Sequence, residues 1–239
     1  MDVFYAIKTQ LKSIRWQGRR ALVALRWGSS SLQDTPAVLA NLSRMRPGDI
    51  GYGYIKARQP FISLLTQPGR ATIFVYRDPR DMLVSHVFYA TQMHTGHGMH
   101  RYYTETLGTM EERLKAAIQG VDEPGAELSP IRQKYDGYLG WLEQPEVLCL
   151  RFEDLILDRP VALGRILDYL VQRGFVPRLP RQQEISILEQ AIAPKKSGTF
   201  RKGQPGNWRE HFTEANKTSF KRQAGDLLIR LGYEEDQNW

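Results

Sequence analysis

Two stretches of the sequence carry residues that could bind an anion. In the first, "IFVYRDPRDMLVS", an apolar run ends at Arg77, and Ser85 lies one turn into the segment that should form the next helix. An arginine, a hydroxyl and the first amides of a helix together suit a phosphate or sulfate group. The sequence equally allows a surface ion-pair cluster of little energetic value, made of Arg77, Asp78, Arg80 and Asp81. The spacing leaves both interpretations open.

The second stretch is "FRKGQPGNW". Arg201 and Lys202 supply two positive charges, and Gly203 allows backbone conformations in which amides face a ligand. The rings of Phe200 and Trp208 could cover a nucleotide base. A basic loop with several glycines is also typical of a solvated turn, so this stretch alone does not define a site.

Apolar runs predict the strands that would position these residues. "ATIFVY", residues 71–76, is bounded by Pro68-Gly69 and by charge, which is typical of a strand buried on both faces of a parallel sheet. Residues 147–152 form a second such run, and residues 49–55 a weaker one that contains two glycines. Since strands alternate with helical segments, we expect an α/β fold with a mainly parallel sheet flanked by helices. In such folds ligands bind beyond the carboxyl ends of the strands.

The predicted helices follow from apolar residues at helical spacing. They cover residues 1–27, 35–45, 60–67, 80–93, 110–120, 130–143, 160–173, 181–192 and 214–231. Thr35 and Pro36 supply an N-cap and a first-turn proline for the second of them. The first, residues 1–27, is amphipathic with a basic polar side, so it could lie on a membrane surface or pack as an ordinary helix.

Composition narrows the protein class. A chain of 239 residues with 41% hydrophobic residues suits one globular domain with a sizeable core. The formal net charge of +7 favours an anionic partner without choosing among nucleic acid, a lipid surface and a small phosphate or sulfate. The single cysteine, Cys149, excludes an internal disulfide and favours a reducing compartment. The sequence shows no uncharged apolar run of about 18 residues and no signal-peptide pattern, so we expect a cytoplasmic location.

The two anion-binding stretches together identify a family resemblance. "VYRDPRDMLVSHVFYA", followed far along the chain by "FRKGQPGNWREHFTE", closely resembles the cytosolic-type sulfotransferases, which use 3'-phosphoadenosine 5'-phosphosulfate (PAPS) as donor. The resemblance implies that Arg77 and Ser85 bind the nucleotide 3'-phosphate. It further implies that the Arg-Lys-Gly motif, Arg201, Lys202 and Gly203, closes over the same phosphate.

Other parts of the resemblance concern the adenine and the catalytic base. "LRFEDL" is similar to the family's aromatic-Glu-Asp segment, which implies that Phe152 lies near the adenine. The family commonly uses a histidine base on the strand before the 3'-phosphate motif, and Tyr54 occupies that position in this chain. A phenol with a pKa of about 10 is a poor base at neutral pH. His86 is a second candidate, because it follows Ser85 and could point toward the acceptor.

Three further histidines, His94, His97 and His100, form "HTGHGMH". Their spacing of three could suit metal ligands, but glycines separate them and no cysteine or carboxylate lies among them. We therefore predict a solvated, mobile loop and no metal. In the sulfotransferase interpretation this loop would border the acceptor site.

The N-terminal part departs from the family. The family's Pro-Lys-Ser-Gly-Thr loop for the 5'-phosphosulfate follows the first strand, whereas "PKKSGT" at residues 194–199 follows a helical segment and is interpreted as a coincidence. "RRALVALRWGSSSLQDTPAVL" contains a strand-like run, a Gly-Ser loop and a helix, but its loop has no lysine. We therefore expect residues 1–47 to be a basic region that is divergent or truncated, and residues 48–239 to be a sulfotransferase-like domain.

These features favour a sulfotransferase with an α/β fold of the nucleoside-kinase-like P-loop class. It would move a sulfuryl group from PAPS to a hydroxyl or amine of a small-molecule or glycan acceptor, without a metal or a covalent enzyme intermediate. The product would be adenosine 3',5'-bisphosphate (PAP), and no nucleic-acid partner is expected. The alternative is a catalytically impaired relative that binds the nucleotide or a polyanion through the same basic cleft. The pocket loops carry no recognisable code for the acceptor or for the oligomeric state.

Overall fold

The computed structural model describes residues 21–26, 35–46, 48–192 and 203–239. Four strands form one parallel sheet in the order β2-β1-β3-β4. Their bounds are Ala21–Arg26 for β1, Ile50–Gly53 for β2, Arg70–Tyr76 for β3 and Val147–Arg151 for β4. The predicted α/β class with a parallel sheet is therefore confirmed.

The helices alternate with these strands. They are α1 (Thr35–Ser43), α2 (Phe61–Thr66), α3 (Pro79–Phe88), α4 (Met110–Gln119), α5 (Ile131–Leu139), α6 (Asp154–Leu157), α7 (Arg159–Gln172), α8 (Arg181–Ala191), α9 (Glu214–Ala224) and α10 (Leu227–Arg230). Two π-helical turns, Tyr89–Met93 and Tyr102–Thr106, and two 3₁₀ turns, Gly140–Glu143 and Asn207–Glu210, complete the described elements. In the described residues no helix is long and apolar enough to cross a membrane.

The chain divides into two compact units. One comprises Met1–Tyr76 and Gly137–Gly203 and contains the sheet, and the other comprises Arg77–Asp136 and Gln204–Trp239. In the second unit, Asn216 of α9 donates from Nδ2 to the carbonyl of Glu111 in α4 at 3.0 Å. This bond joins the start of α9 to the start of α4.

Strand β3 forms the centre of the first unit, because both of its faces are covered. Ala71, Ile73 and Val75 belong to an apolar cluster that includes the inner faces of α7 and α8. Phe74 belongs to a separate cluster that includes Phe61 of α2. This alternation is what a two-faced parallel strand requires, and it explains the unbroken apolar run in the sequence.

Two predictions of local structure are wrong. Residues 21–26, which fall in the predicted helix 1–27, form strand β1, which pairs in parallel with β2 on one side and β3 on the other. These residues adopt the strand rather than the helix because pairing on both sides satisfies their backbone N–H and C=O groups within the sheet. The strand-like character of this run was already visible in the sequence. The predicted helix 214–231 ends at Ala224, since Gly225 takes a φ of 58° that interrupts helical geometry. Residues 1–20 lie outside the described residues.

Candidate functional site

Arg77 stands two residues before α3 and reaches Ser85, the seventh residue of that helix. The side chain of Asp78 caps this helix by accepting from the amide of Arg80 at 2.9 Å. The first turn thereby fixes the backbone that follows β3. Arg77 donates from Nη1 to Ser85 Oγ at 3.3 Å, and its carbonyl accepts from the hydroxyl of Tyr135 at 3.0 Å. The sequence-predicted pair is thus a cation and a hydroxyl held side by side, with the arginine side chain 26% exposed.

Asp81 joins this pair to the C-terminal segment of the same unit. Its carboxylate is buried and accepts from the amides of Gly206 at 2.7 Å and Trp208 at 2.8 Å. Arg77 Nη2 lies 3.9 Å from Asp81 Oδ2. Burial raises the pKa of Asp81. The charge of Arg77 and the two hydrogen bonds from backbone amides oppose that rise. The carboxylate therefore fixes the turn at Gly206, whose φ is 81°, against α3.

Sequence reasoning missed this role of Asp81. An acidic residue in the first turn of a helix is already explained by the helix dipole, so its type gave no further signal. Its partners are backbone amides distant in sequence, and backbone groups leave no trace in residue type.

The alternative of a surface ion-pair cluster is wrong for these residues. Asp78, Arg80 and Asp81 are 5%, 2% and 1% exposed. Arg80 pairs with Asp78 through Nε and Nη2, at 3.0 and 2.8 Å. The Arg80 guanidinium also pairs with the side-chain carboxylate of Glu234. It lies 3.9 Å from the ring centre of Trp208 and 4.6 Å from that of Trp239. Burial makes such cation–π contacts stronger than on a surface.

Much of the predicted Arg-Lys-Gly motif falls outside the described residues. This applies to Phe200, Arg201 and Lys202, and also to residues 194–199, so their roles stay predictions. Gly203 is described, and its φ of 63° is a conformation that favours glycine. The glycine at this position therefore has a backbone reason, whichever ligand the loop binds.

Phe152 lies in the first unit, directly after β4. Its amide donates to the carbonyl of Tyr76 at 2.7 Å, which extends the pairing of β3 and β4 by one residue. The ring is partly buried and packs on the apolar cluster that contains Leu150 and Leu155. Its position at the carboxyl end of a strand of the parallel sheet agrees with the usual place of ligands in such sheets. The predicted contact with adenine stays a prediction.

Tyr54 follows the end of β2 and is partly buried. The residues after it are held by two hydrogen bonds within the first unit. Trp141 Nε1 donates to the carbonyl of Ile55 at 2.8 Å, and the amide of Ala57 donates to the carbonyl of Gly137 at 2.7 Å. Tyr54 therefore begins a fixed segment at a carboxyl strand end, and its role as a base stays a prediction.

His86 has an environment that weakens it as a base. The ring is partly buried with its Nε2 atom fully buried, and it packs edge-to-face on His97 and Tyr103 with ring centres 5.1 and 5.9 Å apart. Burial lowers the pKa of His86 to about 3, assisted by the nearby charge of Lys134. The imidazole is therefore neutral at pH 7. Because its protonated form is a strong acid, the ring is a weak base for taking the proton of an acceptor.

The other histidines are partly held by the backbone. His97 Nδ1 accepts from the amide of Met99 at 3.1 Å, and His100 Nδ1 lies 2.7 Å from the carbonyl of Ala90. His94 is exposed. The solvated part of the prediction therefore holds for His94 but not for His97 and His100, which are partly buried. In the part of the chain that the structure describes, no group of three or more histidines, cysteines or carboxylates is arranged to hold a metal ion.

Comparison with known families decides the identity. The model of the sulfotransferase domain matches residues 61–232, which is more than half of the chain. The chain belongs to the sulfotransferase family. The resemblance inferred from its two motifs is therefore confirmed.

Curated relatives of this chain are similar at low identity. The 3-alpha-hydroxysteroid sulfotransferase of Cavia porcellus is 27% identical over 164 residues, which cover 63% of this chain and 53% of the relative. The flavonol 3-sulfotransferase of Flaveria bidentis is 24% identical over 171 residues, covering 59% of this chain and 49% of the relative. The chain thus spans about half the length of the curated relatives it matches.

Solved structures share the fold. Mouse sulfotransferase SULT7A1 complexed with PAP has a TM-score of 0.61 and 13% identity, covering 98% of this chain and 94% of the other. Retinol dehydratase in complex with androsterone and inactive cofactor PAP has a TM-score of 0.56 and 19% identity, covering 82% and 57%. The predicted sulfotransferase fold is confirmed by these likenesses.

Proposed function

We propose that this sulfotransferase transfers a sulfuryl group from PAPS to a hydroxyl or amine acceptor. The observation that carries the proposal is the hydrogen-bonded pair of Arg77, just before α3, and Ser85 within it, with the Gly206–Trp208 segment held by Asp81 of the same helix. A guanidinium, a hydroxyl and a helix start form a typical phosphate site. The solved neighbours complexed with PAP support the same choice of nucleotide.

For each proposed contact with the PAPS donor, the chain has a residue of suitable chemistry. Arg77 donates to the 3'-phosphate as a planar, permanently charged group, and Ser85 adds a neutral donor. Arg201, Lys202 and Gly203 close over the same phosphate with two cations and a backbone amide. The rings of Phe152 and Phe200 supply apolar surface for the adenine.

The donor supplies an activated sulfur atom. In the transfer, a bond forms between this sulfur and the acceptor oxygen or nitrogen, and the bond from sulfur to the 5'-phosphate oxygen breaks, releasing PAP. The enzyme holds the reactants in line and takes the acceptor proton. Tyr54 and His86 are the two proposed bases, and the lowered pKa of His86 weakens it in that role.

The proposal further covers the acceptor, the location and two segments of the chain. The acceptors are small molecules or glycans, which agrees with relatives named for hydroxysteroids and flavonol. The proposed location is the cytoplasm. Residues 1–47 form the divergent N-terminal region of the proposed enzyme. In this proposal residues 194–199 do not hold the 5'-phosphosulfate.

A second candidate function is nucleotide or polyanion binding with little transfer. The sequence between β1 and α1, "WGSSSLQD", contains no lysine to meet the transferring sulfuryl group. Because α1 follows β1 as in the family's strand-loop-helix arrangement, this lack of charge falls where the family's loop would be.

Calorimetric titration with PAP tests the nucleotide site. We expect micromolar binding that Arg77→Ala weakens by about 10- to 100-fold, since a hydrogen bond to a charged group contributes about 1.5–3 kcal/mol. Adding Arg201→Ala should abolish measurable binding. Arg101→Ala is the matched control, because Arg101 is an 84% exposed arginine of the same unit.

Two outcomes decide between the candidates. No heat with the wild type, or equal losses in Arg77→Ala and Arg101→Ala, would refute the nucleotide site. If PAP binds but radiolabelled PAPS gives no product across phenols, alcohols and amines, the non-catalytic candidate is correct.

A further inference from the structure

A cluster of basic and phenolic side chains lies beside the proposed phosphate site in the second unit. It comprises His86, His97, Tyr103 and Lys134, and we call it the His-Lys cluster. His86 stands next to Ser85 in α3, and its ring centre lies 5.1 Å from that of His97 and 5.9 Å from that of Tyr103. Lys134 comes from α5 and is close enough to lower the pKa of both histidines.

Two polar atoms of the cluster are buried without a hydrogen-bond partner. Among the described residues, neither Nε2 of His86 nor the hydroxyl of Tyr103 has one. Buried polar atoms are satisfied in nearly all native proteins, because an unmade bond costs free energy. A bound ligand or a buried water can complete the bonding of these two atoms on neighbouring rings.

The charge of the cluster is uncompensated. Lys134 is partly buried, and no ion pair with a carboxylate is found for it within the described ranges. Burial lowers its pKa to about 8, so the ammonium form still prevails at pH 7. The groups that shift the pKa of His86 and His97 are other histidines and Lys134, with no acidic residue among them. A desolvated cation of this kind favours an anionic partner.

The tautomer of one histidine makes it a donor toward such a partner. The amide of Met99 donates to His97 Nδ1, so the neutral ring carries its proton on Nε2. The cluster thus combines one cation with neutral groups that can donate hydrogen bonds, a set that suits a single negative charge shared by two oxygens.

We propose that the His-Lys cluster binds a carboxylate of the acceptor, so that the enzyme prefers phenols or alcohols that carry an acid group. The inference rests on the proposed function, because the bound acid is an acceptor only if the enzyme transfers a sulfuryl group. The placement of the cluster supports it, since His86 follows directly on a residue proposed to hold the nucleotide. One cation suits a carboxylate better than a dianionic phosphate or sulfate.

The test compares 4-hydroxybenzoate with 4-hydroxybenzamide, a neutral ligand of the same shape. Both are titrated into the full chain by calorimetry at pH 7, with and without saturating PAP. The variants are Lys134→Gln, which removes the charge, and Lys134→Arg, which keeps it. We expect the wild type to bind the benzoate at least tenfold more tightly than the amide. This preference should vanish in Lys134→Gln and return at least in part in Lys134→Arg.

Several results would overturn the inference. One is an equal preference for benzoate in wild type and Lys134→Gln, with both variants shown to be folded by a cooperative unfolding transition. Another is no binding of either ligand to the folded wild type. If sodium sulfate displaces the benzoate at equal concentration, the cluster is a general anion site and the carboxylate assignment fails. Failure of PAP to bind would refute the proposed function separately, because the benzoate preference is also measured without PAP.

Discussion

Replacing Asp81 by asparagine tests how the Gly206–Trp208 segment is held. The wild-type carboxylate accepts two short bonds, from Gly206 at 2.7 Å and from Trp208 at 2.8 Å. Asparagine has the same shape but only one acceptor oxygen, so its amide nitrogen must face one of the two backbone N–H groups. One bond is lost and a buried donor is left without a partner.

The size of the effect follows from these two bonds. Losing a hydrogen bond to a charged group costs about 1.5–3 kcal/mol, and the unsatisfied donor adds to this. The substitution also removes a buried charge, and the raised pKa of Asp81 shows that this charge is itself unfavourable. We expect a net loss of about 2 kcal/mol, which is roughly a thirtyfold increase in local opening.

Hydrogen exchange of the Gly206–Trp208 amides measures this opening directly. The matched control is Asp136→Asn, because Asp136 is half exposed and pairs with Arg132 at 2.6 Å on the surface of α5. A surface pair of this kind contributes about 0.5 kcal/mol, so exchange in the segment should stay at the wild-type rate.

The reasoning is refuted if Asp81→Asn leaves exchange in this segment within about threefold of the wild type. It also fails if the control accelerates exchange there as much as Asp81→Asn does. Under the proposed function, Asp81→Asn should weaken PAP binding as well, because the segment follows directly on the Arg-Lys-Gly motif.

Three further predictions concern stability, measured by urea unfolding. Lys134→Met should raise the free energy of unfolding by about 1–3 kcal/mol at pH 7. The pKa of Lys134 falls from 10.5 to about 8 on folding, so the unfolded chain binds more protons between these values. The free energy of unfolding of the wild type therefore rises with pH across that window, and its difference from that of Lys134→Met becomes smaller. A difference that stays constant with pH would contradict the burial of this charge. Tyr169→Phe should cost about 2–4 kcal/mol, because the hydroxyl accepts from the amide of Thr72 at 2.7 Å and lies 2.9 Å from its carbonyl; a cost below about 1 kcal/mol would show that water replaces the hydroxyl. Thr109→Ala should cost about 1 kcal/mol by removing the capping box with Glu112, and Thr109→Ser, which keeps the hydroxyl, should restore most of it.

The elements with strong local signals were predictable. Strands β3 and β4 follow from apolar runs that any buried parallel strand needs, and α1 begins at Thr35 as its cap and proline predict. Strand β1 was mistaken for part of a helix, because an apolar run of six residues suits either structure and only pairing with β2 and β3 decides between them.

The sequence by itself determined the family and the pair at the centre of the proposed site. Arg77 and Ser85 lie on one short strand-helix junction, so their spacing along the chain already implies their proximity in space. Tertiary structure alone decided the roles of Asp81 and Lys134. Asp81 acts on backbone amides far away in sequence, and the charge of Lys134 becomes significant only because folding buries it near His86, with no ion pair for it among the described residues. Burial and long-range contacts are properties of the packed chain, and residue type and local spacing do not encode them.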